Sequence, residues 1–195
     1  MNGVSSDAAR TLLTPAQYLA AERVSDVKHE FLHGDVFAMA GGSYRHSLIA
    51  ANIVRHLGNA LEARPCAVHT SDMRVRAGDL YTYPDVTVLC GEPRFEDERR
   101  DTLLNPNVIF EVLSDSTESY DRGRKFEQYR TVPSLFEVVL VSQAEIHVEH
   151  FARQPDGSWR LREVRAGQRL ELPALGCELS VDDIYRKVFD VAGEA

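Results

Sequence analysis

The sequence has few cysteines, no long apolar run and no excess of positive charge, and each absence excludes a class of protein. Its three cysteines, Cys66, Cys90 and Cys177, are odd in number and widely spaced, which argues against a disulfide framework and against a zinc knuckle. We therefore expect three buried thiols. No window approaches the about 18 uncharged apolar residues of a membrane helix, and the N-terminus lacks the basic start and apolar core of a signal peptide. The expected location is the cytoplasm, without a membrane partner.

The net charge of −8 disfavours loose binding to polyanions, since phosphate contacts require lysine and arginine. It does not exclude a metal-dependent nuclease, because the ion neutralises the carboxylates that hold it. There is no Gly-rich phosphate loop, Ser-His-Asp signature or Cys-His nucleophile pair. The length of 195 residues favours one domain, residues 14–191, preceded by a flexible arm of residues 1–13.

The pattern of apolar and turn residues predicts a mixture of helices and strands. The predicted helices are 14–23, 44–63 and 180–191, with a further helix that Ser116 or Thr117 would cap. The predicted strands are 28–32, 36–40, 66–70, 72–76, 84–90, 107–113, 135–141, 145–151 and 158–164. The charged run 92–101 is predicted to be a loop or a short helix. This order predicts an α+β domain with an α/β-like core and a mixed sheet.

The most informative stretch is 107–130, where an apolar strand that carries one acid leads into a charged helix. Glu111 lies within a run of Val, Ile and Phe, and a carboxylate buried there needs a cation, a metal ion or a proton. Helical spacing places Asp121, Lys125 and Tyr129 on one face. Considered alone, Lys125 would form an exposed ion pair with Asp121 that contributes about 0.3–0.5 kcal/mol.

A second acid, Asp85, follows Pro84 at the start of another predicted strand. Two carboxylates from adjacent strands can share a hard divalent cation such as Mg²⁺, with water and phosphate oxygens completing the octahedron. Considered alone, Asp85 would more often be a turn residue. The combination of Asp85, Glu111 and Lys125, in this order on these elements, favours a nuclease-type site.

These residues resemble the motifs of the Uma-type family of restriction-endonuclease-like proteins, which belongs to the PD-(D/E)XK nuclease superfamily. The motifs that carry the resemblance are Pro84-Asp85, Glu111-Val112-Leu113-Ser114, Asp121-Arg122-Gly123-Arg124-Lys125 with Tyr129, the early hairpin from Glu30 to Gly34, and His46. The resemblance covers roughly residues 14–188. It implies a restriction-endonuclease-like fold, with a central mixed β-sheet flanked by helices and extra β-hairpins.

The resemblance also implies a catalytic site. Asp85, Glu111 and the Val112 carbonyl would ligate Mg²⁺ or Mn²⁺. The superfamily places a lysine two residues after the acid, but this sequence has Leu113 there. Lys125, from the following helix, is the expected substitute, and it would orient or deprotonate the attacking water and offset charge on the phosphate.

Glu30 is a fourth implied catalytic residue, and three further residues, His46, Asp121 and Tyr129, have implied supporting roles. Glu30 would add a carboxylate, as a ligand or through water, and His46 would orient a ligand or a phosphate. Asp121 and Tyr129 would support the site from the helix. The implied function is a Mg²⁺-dependent endonuclease that cleaves DNA as a homodimer. The alternative is a catalytically inactive binding or assembly module, favoured by Leu113 and by the acidic net charge.

Residues 29–33 spell H-E-x-x-H, the motif of zinc proteases, in which two histidines one helical turn apart bind Zn²⁺. The motif requires a helix, whereas Gly34 and the strand after it predict a hairpin. On an extended chain His29 and His33 would lie about 13 Å apart. We therefore reject the protease interpretation.

Five arginines cluster on the late strands: Arg153, Arg160, Arg162, Arg165 and Arg169. They could form a cationic strip that faces DNA, but charged residues on a solvated sheet edge are the favoured interpretation. Phe126, Tyr129 and Trp159 are expected in the core rather than as platforms for stacking bases.

Overall fold

The computed structural model describes residues 12–114 and 117–190. Its helices are α1 (Pro15–Glu22), α2 (Tyr44–Leu61), α3 (Glu118–Tyr120), α4 (Phe126–Tyr129) and α5 (Val181–Ile184), and a π-helical turn (Asp121–Lys125) joins α3 to α4. Its strands are β1 (His29–Leu32), β2 (Asp35–Ala38), β3 (Cys66–Thr70), β4 (Arg74–Ala77), β5 (Leu80–Thr82), β6 (Val86–Cys90), β7 (Thr102–Leu103), β8 (Val108–Leu113), β9 (Glu137–Ser142), β10 (His147–Arg153), β11 (Trp159–Arg165), β12 (Arg169–Leu172) and β13 (Cys177–Ser180). The predicted α+β class is confirmed.

The larger sheet contains six strands in the order β11-β10-β9-β8-β6-β3. Its neighbours are antiparallel except β8 and β9, which run parallel. All six residues of β8 are buried, as expected for a central strand. Parallel neighbours require a crossover connection. This crossover carries α3, the π-helical turn and α4, and it brings their side chains back over the sheet.

The larger sheet is covered on both faces. On one face, Ile53 of α2 packs in a core cluster with Phe110 of β8, and α5 joins the same cluster. On the other face lies a second mixed sheet, in the order β2-β1-β5-β4-β7. There Leu80 packs in a second cluster with Ile109, and Tyr129 of α4 belongs to this cluster too. The crossover and the second sheet therefore cover the same face.

The alternation of side chains along β8 determines which face of the sheet Glu111 lies on. Phe110 and Val112 belong to the core cluster on the α2 side, whereas Ile109 and Leu113 belong to the cluster on the opposite side. Successive side chains of a strand point to opposite faces. Glu111 therefore shares the face of Ile109 and Leu113, and points toward the second sheet and the crossover helix.

Four short strands were not predicted from the sequence: β5, β7, β12 and β13. β5 and β7 contain three and two residues, which is too few for an alternating pattern to be recognised. β12 and β13 pair with each other as a separate two-stranded sheet. The predicted central mixed sheet and extra hairpins are confirmed, and a complete second sheet is added to them.

Two helix predictions need correction. The last helix was expected over 180–191, but α5 covers only Val181–Ile184, and the Ser180 side chain makes no capping hydrogen bond among the described residues. Thr117 occupies the N-cap position of α3, also without a capping bond within the described chain; its hydroxyl lies 2.9 Å from Ser114 Oγ. Ser116, the other predicted cap, lies outside the described residues.

The prediction of three thiols is wrong for two of them. Cys66 and Cys90 form a disulfide between β3 and β6, where they are directly opposed in the antiparallel register. Cys177 is a free, half-buried cysteine. An odd number of cysteines left one without a partner, but it did not exclude a bridge between the other two.

The chain before β1 is tied to the hairpin of β1 and β2. The Thr14 side chain and Gln17 form the predicted capping box of α1. The Leu13 N–H donates to the Gly34 carbonyl at 2.9 Å, and Gly34 adopts a φ of +94° in the hairpin turn. Residues 1–11 of the predicted arm lie outside the described residues. Within residues 12–114 and 117–190, no helix combines the length and the apolar character needed to cross a bilayer.

Candidate active site

Lys125 lies at the centre of a buried group of carboxylates. Its Nζ is 2.9 Å from Glu30 Oε1, 3.1 Å from Glu111 Oε1 and 3.3 Å from Asp121 Oδ1. The Lys125 side chain is 6% exposed, and the three acids are 10% exposed or less. The pair with Asp121 exists as predicted, but it is buried rather than exposed, and the same amine also contacts two acids from β-strands.

The π-helical turn brings Asp121 and Lys125 into the protein interior. The Phe126 N–H donates to the Asp121 carbonyl, five residues earlier. Such turns are rare and occur frequently at functional sites. Both side chains are buried on the face that meets Glu111 of β8 and Glu30 of β1. Segments far apart in the sequence therefore meet at one amine.

Two hydroxyl groups hold the strand acids in place. The Tyr129 hydroxyl donates to Glu111 Oε1, the oxygen that also faces Lys125. The Thr82 hydroxyl donates to Glu30 Oε1. Tyr129 confirms the predicted helical face, whereas Thr82 was not predicted, since it belongs to the three-residue strand β5 and no motif marks it.

Asp85 directly precedes β6 and lies closer to solvent. Its Oδ2 accepts a hydrogen bond of 2.7 Å from the Val112 N–H and lies 3.2 Å from His46 Nε2. The side chains of His46 and Asp85 are 21% and 15% exposed. His46 is in the first turn of α2, whose N-cap Ser43 accepts from its N–H. The structure thus places Asp85 beside the residue that follows Glu111.

Burial and charge shift the pKa values of these groups. Burial raises the pKa of Glu111 to about 8; Lys125 opposes this shift, and the charges of Asp121 and Asp85 add to it. Burial lowers the pKa of Lys125, but the neighbouring acids, Glu111 first, outweigh it and hold this pKa well above its usual value. Burial, followed by the Glu111 charge, raises the pKa of Tyr129. The raised pKa therefore favours the protonated form of the Glu111 carboxyl group near neutral pH.

His46 has a different charge environment. The hydrogen bond to Asp85 raises its pKa above the usual histidine value, although burial acts in the opposite direction. The contact with Asp85 therefore favours the protonated form of His46.

Asp85, Glu111 and the Val112 carbonyl have the donor chemistry of a magnesium site. Mg²⁺ prefers oxygen ligands, and it is commonly bound by one or two carboxylates while it keeps several waters. The N–H and C=O of one residue in an extended strand point to the same side, so the Val112 carbonyl faces the side of Asp85. The donor chemistry of these three residues suits Mg²⁺ or Mn²⁺. Within residues 12–114 and 117–190, no group of three or more His, Cys, Asp or Glu side chains is arranged to hold a metal.

The H-E-x-x-H histidines do not form a site together. His29 lies on β1, and its Nδ1 is 2.9 Å from Glu22 Oε2. His33 lies in the following turn, and its Nδ1 is 3.3 Å from Asp79 Oδ2. Glu30, between them, faces Lys125. The zinc-protease interpretation is excluded by this geometry.

Three of the five late arginines, Arg160, Arg162 and Arg165, lie on an edge strand. β11 is the outermost strand of the larger sheet, and Arg160 on it is exposed. Three of the cluster pair with acids: Arg162 with Glu171, Arg165 with Glu163 and Arg169 with Glu178. Arg153 instead donates to the main-chain carbonyls of residues 130, 132 and 135. This arrangement favours a solvated edge over a DNA-binding strip.

Comparison with known sequences gives matches over most of the chain. Residues 15–182 match the Uma2 family, described as "Putative restriction endonuclease". "Uncharacterized protein slr1290" of Synechocystis sp. is 38% identical over 178 residues, which cover 89% of this chain and 92% of that protein. "Uncharacterized protein sll1609" of the same organism is 36% identical over 167 residues, which cover 85% and 94%.

Comparison with solved structures gives a match to a crystal structure from Anabaena variabilis, described as "a putative nuclease belonging to DUF820". The TM-score is 0.72, and the match covers 91% of this chain and 99% of the other. At 16% sequence identity this match shows the fold alone. With the fold of that protein and a family match that extends from α1 to α5, the chain belongs to the Uma2 family of restriction-endonuclease-like proteins.

Proposed function

We propose that this protein is a Mg²⁺-dependent endonuclease that hydrolyses phosphodiester bonds of DNA. The observation that supports this function best is the position of Lys125. Its amine lies 3.1 Å from Glu111, although the strand position that normally carries the lysine of this superfamily is Leu113. The helix lysine thus supplies the charge that the strand lacks.

The acids would act as ligands. Asp85 and Glu111, with the Val112 carbonyl, would hold the ion. Bound Mg²⁺ supplies an activated water molecule and offsets charge on the phosphate. The hydrogen bonds from Tyr129 to Glu111 and from Val112 to Asp85 fix the two carboxylates before any ligand arrives.

Lys125 would act on the phosphate and on the attacking water. An ammonium group aimed at the place where negative charge develops stabilises the transition state. Glu30 and Asp121 contact the same amine, so they keep it charged and restrict its position. In this arrangement Glu30 is a positioning residue for Lys125.

DNA is the proposed partner, and the N-terminus of α2 supports this choice. Its first turn contains no acidic residue, and His46 in that turn contacts Asp85, whose side chain is partly exposed. The unpaired N–H groups and the dipole of a helix N-terminus favour phosphate. We further propose a homodimer, since two symmetric sites suit cleavage of a duplex and two-fold symmetry is the commonest assembly.

A cleavage assay on supercoiled plasmid with Mg²⁺ or Mn²⁺ tests the function. Asp85→Asn, Glu111→Gln and Lys125→Met should each lower the rate by about 100-fold or more, and circular dichroism should show that each variant is folded. A matched control is Arg162→Gln, which removes a charge on the exposed edge and should cleave like the wild type. Full cleavage by all three site variants would refute the site.

The second candidate function is a catalytically inactive binding or assembly module. One observation favours it: Lys125 already neutralises part of the buried acid cluster, so the fold does not require a metal ion for this purpose. Titration calorimetry with Mn²⁺, which needs no substrate, separates the two candidates. Binding of about one or two ions per chain that disappears in Glu111→Gln supports the nuclease, and absence of binding to the wild type supports the module.

A further inference from the structure

Tyr120 carries a buried hydroxyl group for which the site described so far has no use. Tyr120 ends α3, directly before Asp121. Its hydroxyl oxygen is buried and has no hydrogen-bond partner within residues 12–114 and 117–190. Buried hydroxyls are nearly always bonded, and an exception calls for an explanation such as a functional role.

The surroundings of this hydroxyl point to Glu30. Burial raises the pKa of Tyr120, and the charge and the hydrogen-bonding capacity of Glu30 raise it further, so the Glu30 carboxylate lies beside the hydroxyl although no hydrogen bond joins them in the structure. Glu30 Oε1 already accepts from Thr82 and faces Lys125. A carboxylate offers about four acceptor positions, so Glu30 can take one more donor.

We propose that Tyr120 is a positioning residue for Glu30 in the metal-loaded site, where its hydroxyl donates to the Glu30 carboxylate. This inference rests on the proposed function. In the structure Lys125 is shared among Glu30, Glu111 and Asp121. Beside a divalent cation held by Glu111, the Lys125 ammonium would be repelled, and its contact with Glu30 would weaken. Glu30 then needs a replacement donor in a buried place, and the Tyr120 hydroxyl is adjacent and unused.

Stability and metal affinity should respond to Tyr120→Phe in opposite ways. Without metal, the variant loses a hydroxyl that has no partner, so its resistance to urea should equal or exceed that of the wild type. Mn²⁺ affinity, measured by calorimetry, should fall about tenfold, the size expected for one hydrogen bond to a charged group. A purely structural tyrosine would show the reverse pattern.

Tyr185→Phe is the matched control. The Tyr185 hydroxyl is also buried, but it lies 2.8 Å from the carbonyls of Ser142 and His147. This variant should lose stability and keep its Mn²⁺ affinity. Glu30→Gln completes a double-mutant cycle: if Tyr120 acts through Glu30, adding Tyr120→Phe to Glu30→Gln should lower Mn²⁺ affinity no further.

The outcomes separate this inference from the proposed function. If the wild type binds Mn²⁺ and Tyr120→Phe binds it equally well, the role of Tyr120 is refuted and the metal site stands. Independent, additive losses from Tyr120→Phe and Glu30→Gln would also refute it. If the wild type takes up no Mn²⁺, the metal site fails and the role of Tyr120 fails with it.

Discussion

The Val112 N–H donates to Asp85 Oδ2 at 2.7 Å. The last main-chain pair of β6 and β8 joins Val86 to Phe110, so Asp85 lies one residue and Val112 two residues beyond it. The Asp85 side chain thus extends the hydrogen-bond ladder between β6 and β8 beyond the first residue of β6. This bond fixes Asp85 relative to Glu111, the neighbour of Val112, before any ligand binds.

Replacing Asp85 should separate its structural role from its ligand role. Asp85→Ala leaves the Val112 N–H without its acceptor and should lower the free energy of unfolding by about 1–3 kcal/mol. Asp85→Asn keeps an acceptor oxygen and should fold with near wild-type stability. Both should lose Mn²⁺ binding in calorimetry, because the anionic ligand is gone. Wild-type Mn²⁺ affinity in Asp85→Asn would exclude Asp85 as a ligand.

The raised pKa of Glu111 should make stability and metal binding depend on pH in opposite directions. Burial raises this pKa from 4.5 to about 8. Because the folded-state value is the higher one, protonation of Glu111 stabilises the fold at low pH, and this contribution is lost as the pH rises from about 4.5 through about 8. Urea unfolding at several pH values should show a smaller decrease in Glu111→Gln than in the wild type. Identical pH dependences would contradict the shift.

Metal binding requires the ionised carboxylate, so Mn²⁺ should bind more tightly as the pH rises through the same range. Binding near neutral pH should release up to about one proton per site. Calorimetry in two buffers with different ionisation enthalpies measures this release. If no proton is released, Glu111 is already ionised in the free protein.

Removing the central amine should be far more costly than removing a surface lysine. Lys125→Met leaves Glu30, Glu111 and Asp121 without their shared cation, and loss of one partner from a buried ion pair costs about 3–5 kcal/mol. The loss in the free energy of unfolding should be largest at alkaline pH, where the acids are ionised. Adding Glu30→Gln to Lys125→Met should restore part of it. Lys187→Met, at an exposed position, is the control and should have little effect.

The disulfide should contribute measurably to stability. Cys66 and Cys90 are 24 residues apart in the sequence, and closing a loop of this length contributes about 3.5 kcal/mol in the chain-entropy model. A dithiol reductant should lower the urea midpoint of the wild type. The double variant Cys66→Ser/Cys90→Ser should start at that lower midpoint and no longer respond to the reductant. Cys177→Ser, which leaves the bridge intact, should respond like the wild type.

Local patterns were sufficient to predict where several residues of the candidate site lie. The Val, Ile and Phe around Glu111 predict a buried strand, and β8 is central in the larger sheet. Spacing along the next helix placed Asp121, Lys125 and Tyr129 together, and all three are buried on the side of Glu111. These predictions succeeded because periodicity depends only on neighbours in the sequence.

The remaining features depend on contacts between distant segments. No residue pattern in the sequence marks the π-helical turn. Thr82 reaches Glu30 only because β5 pairs with β1. The bridge between Cys66 and Cys90 follows from the register of β3 against β6, which a count of cysteines does not contain. No sequence pattern marks Tyr120 either, because a hydroxyl group can be recognised as unpaired only when the positions of all neighbouring polar groups are known.

The sulfur bridge makes residues 66–90 a covalent ring. Thr82, which holds Glu30, and Asp85, which holds the Val112 amide, both lie on this ring. Two residues that fix the position of the candidate site thus lie on a segment whose ends are covalently joined under oxidising conditions. In a reducing compartment the disulfide is reduced and the ring opens. The hydrogen bonds between the strands alone then hold Thr82 and Asp85 in position.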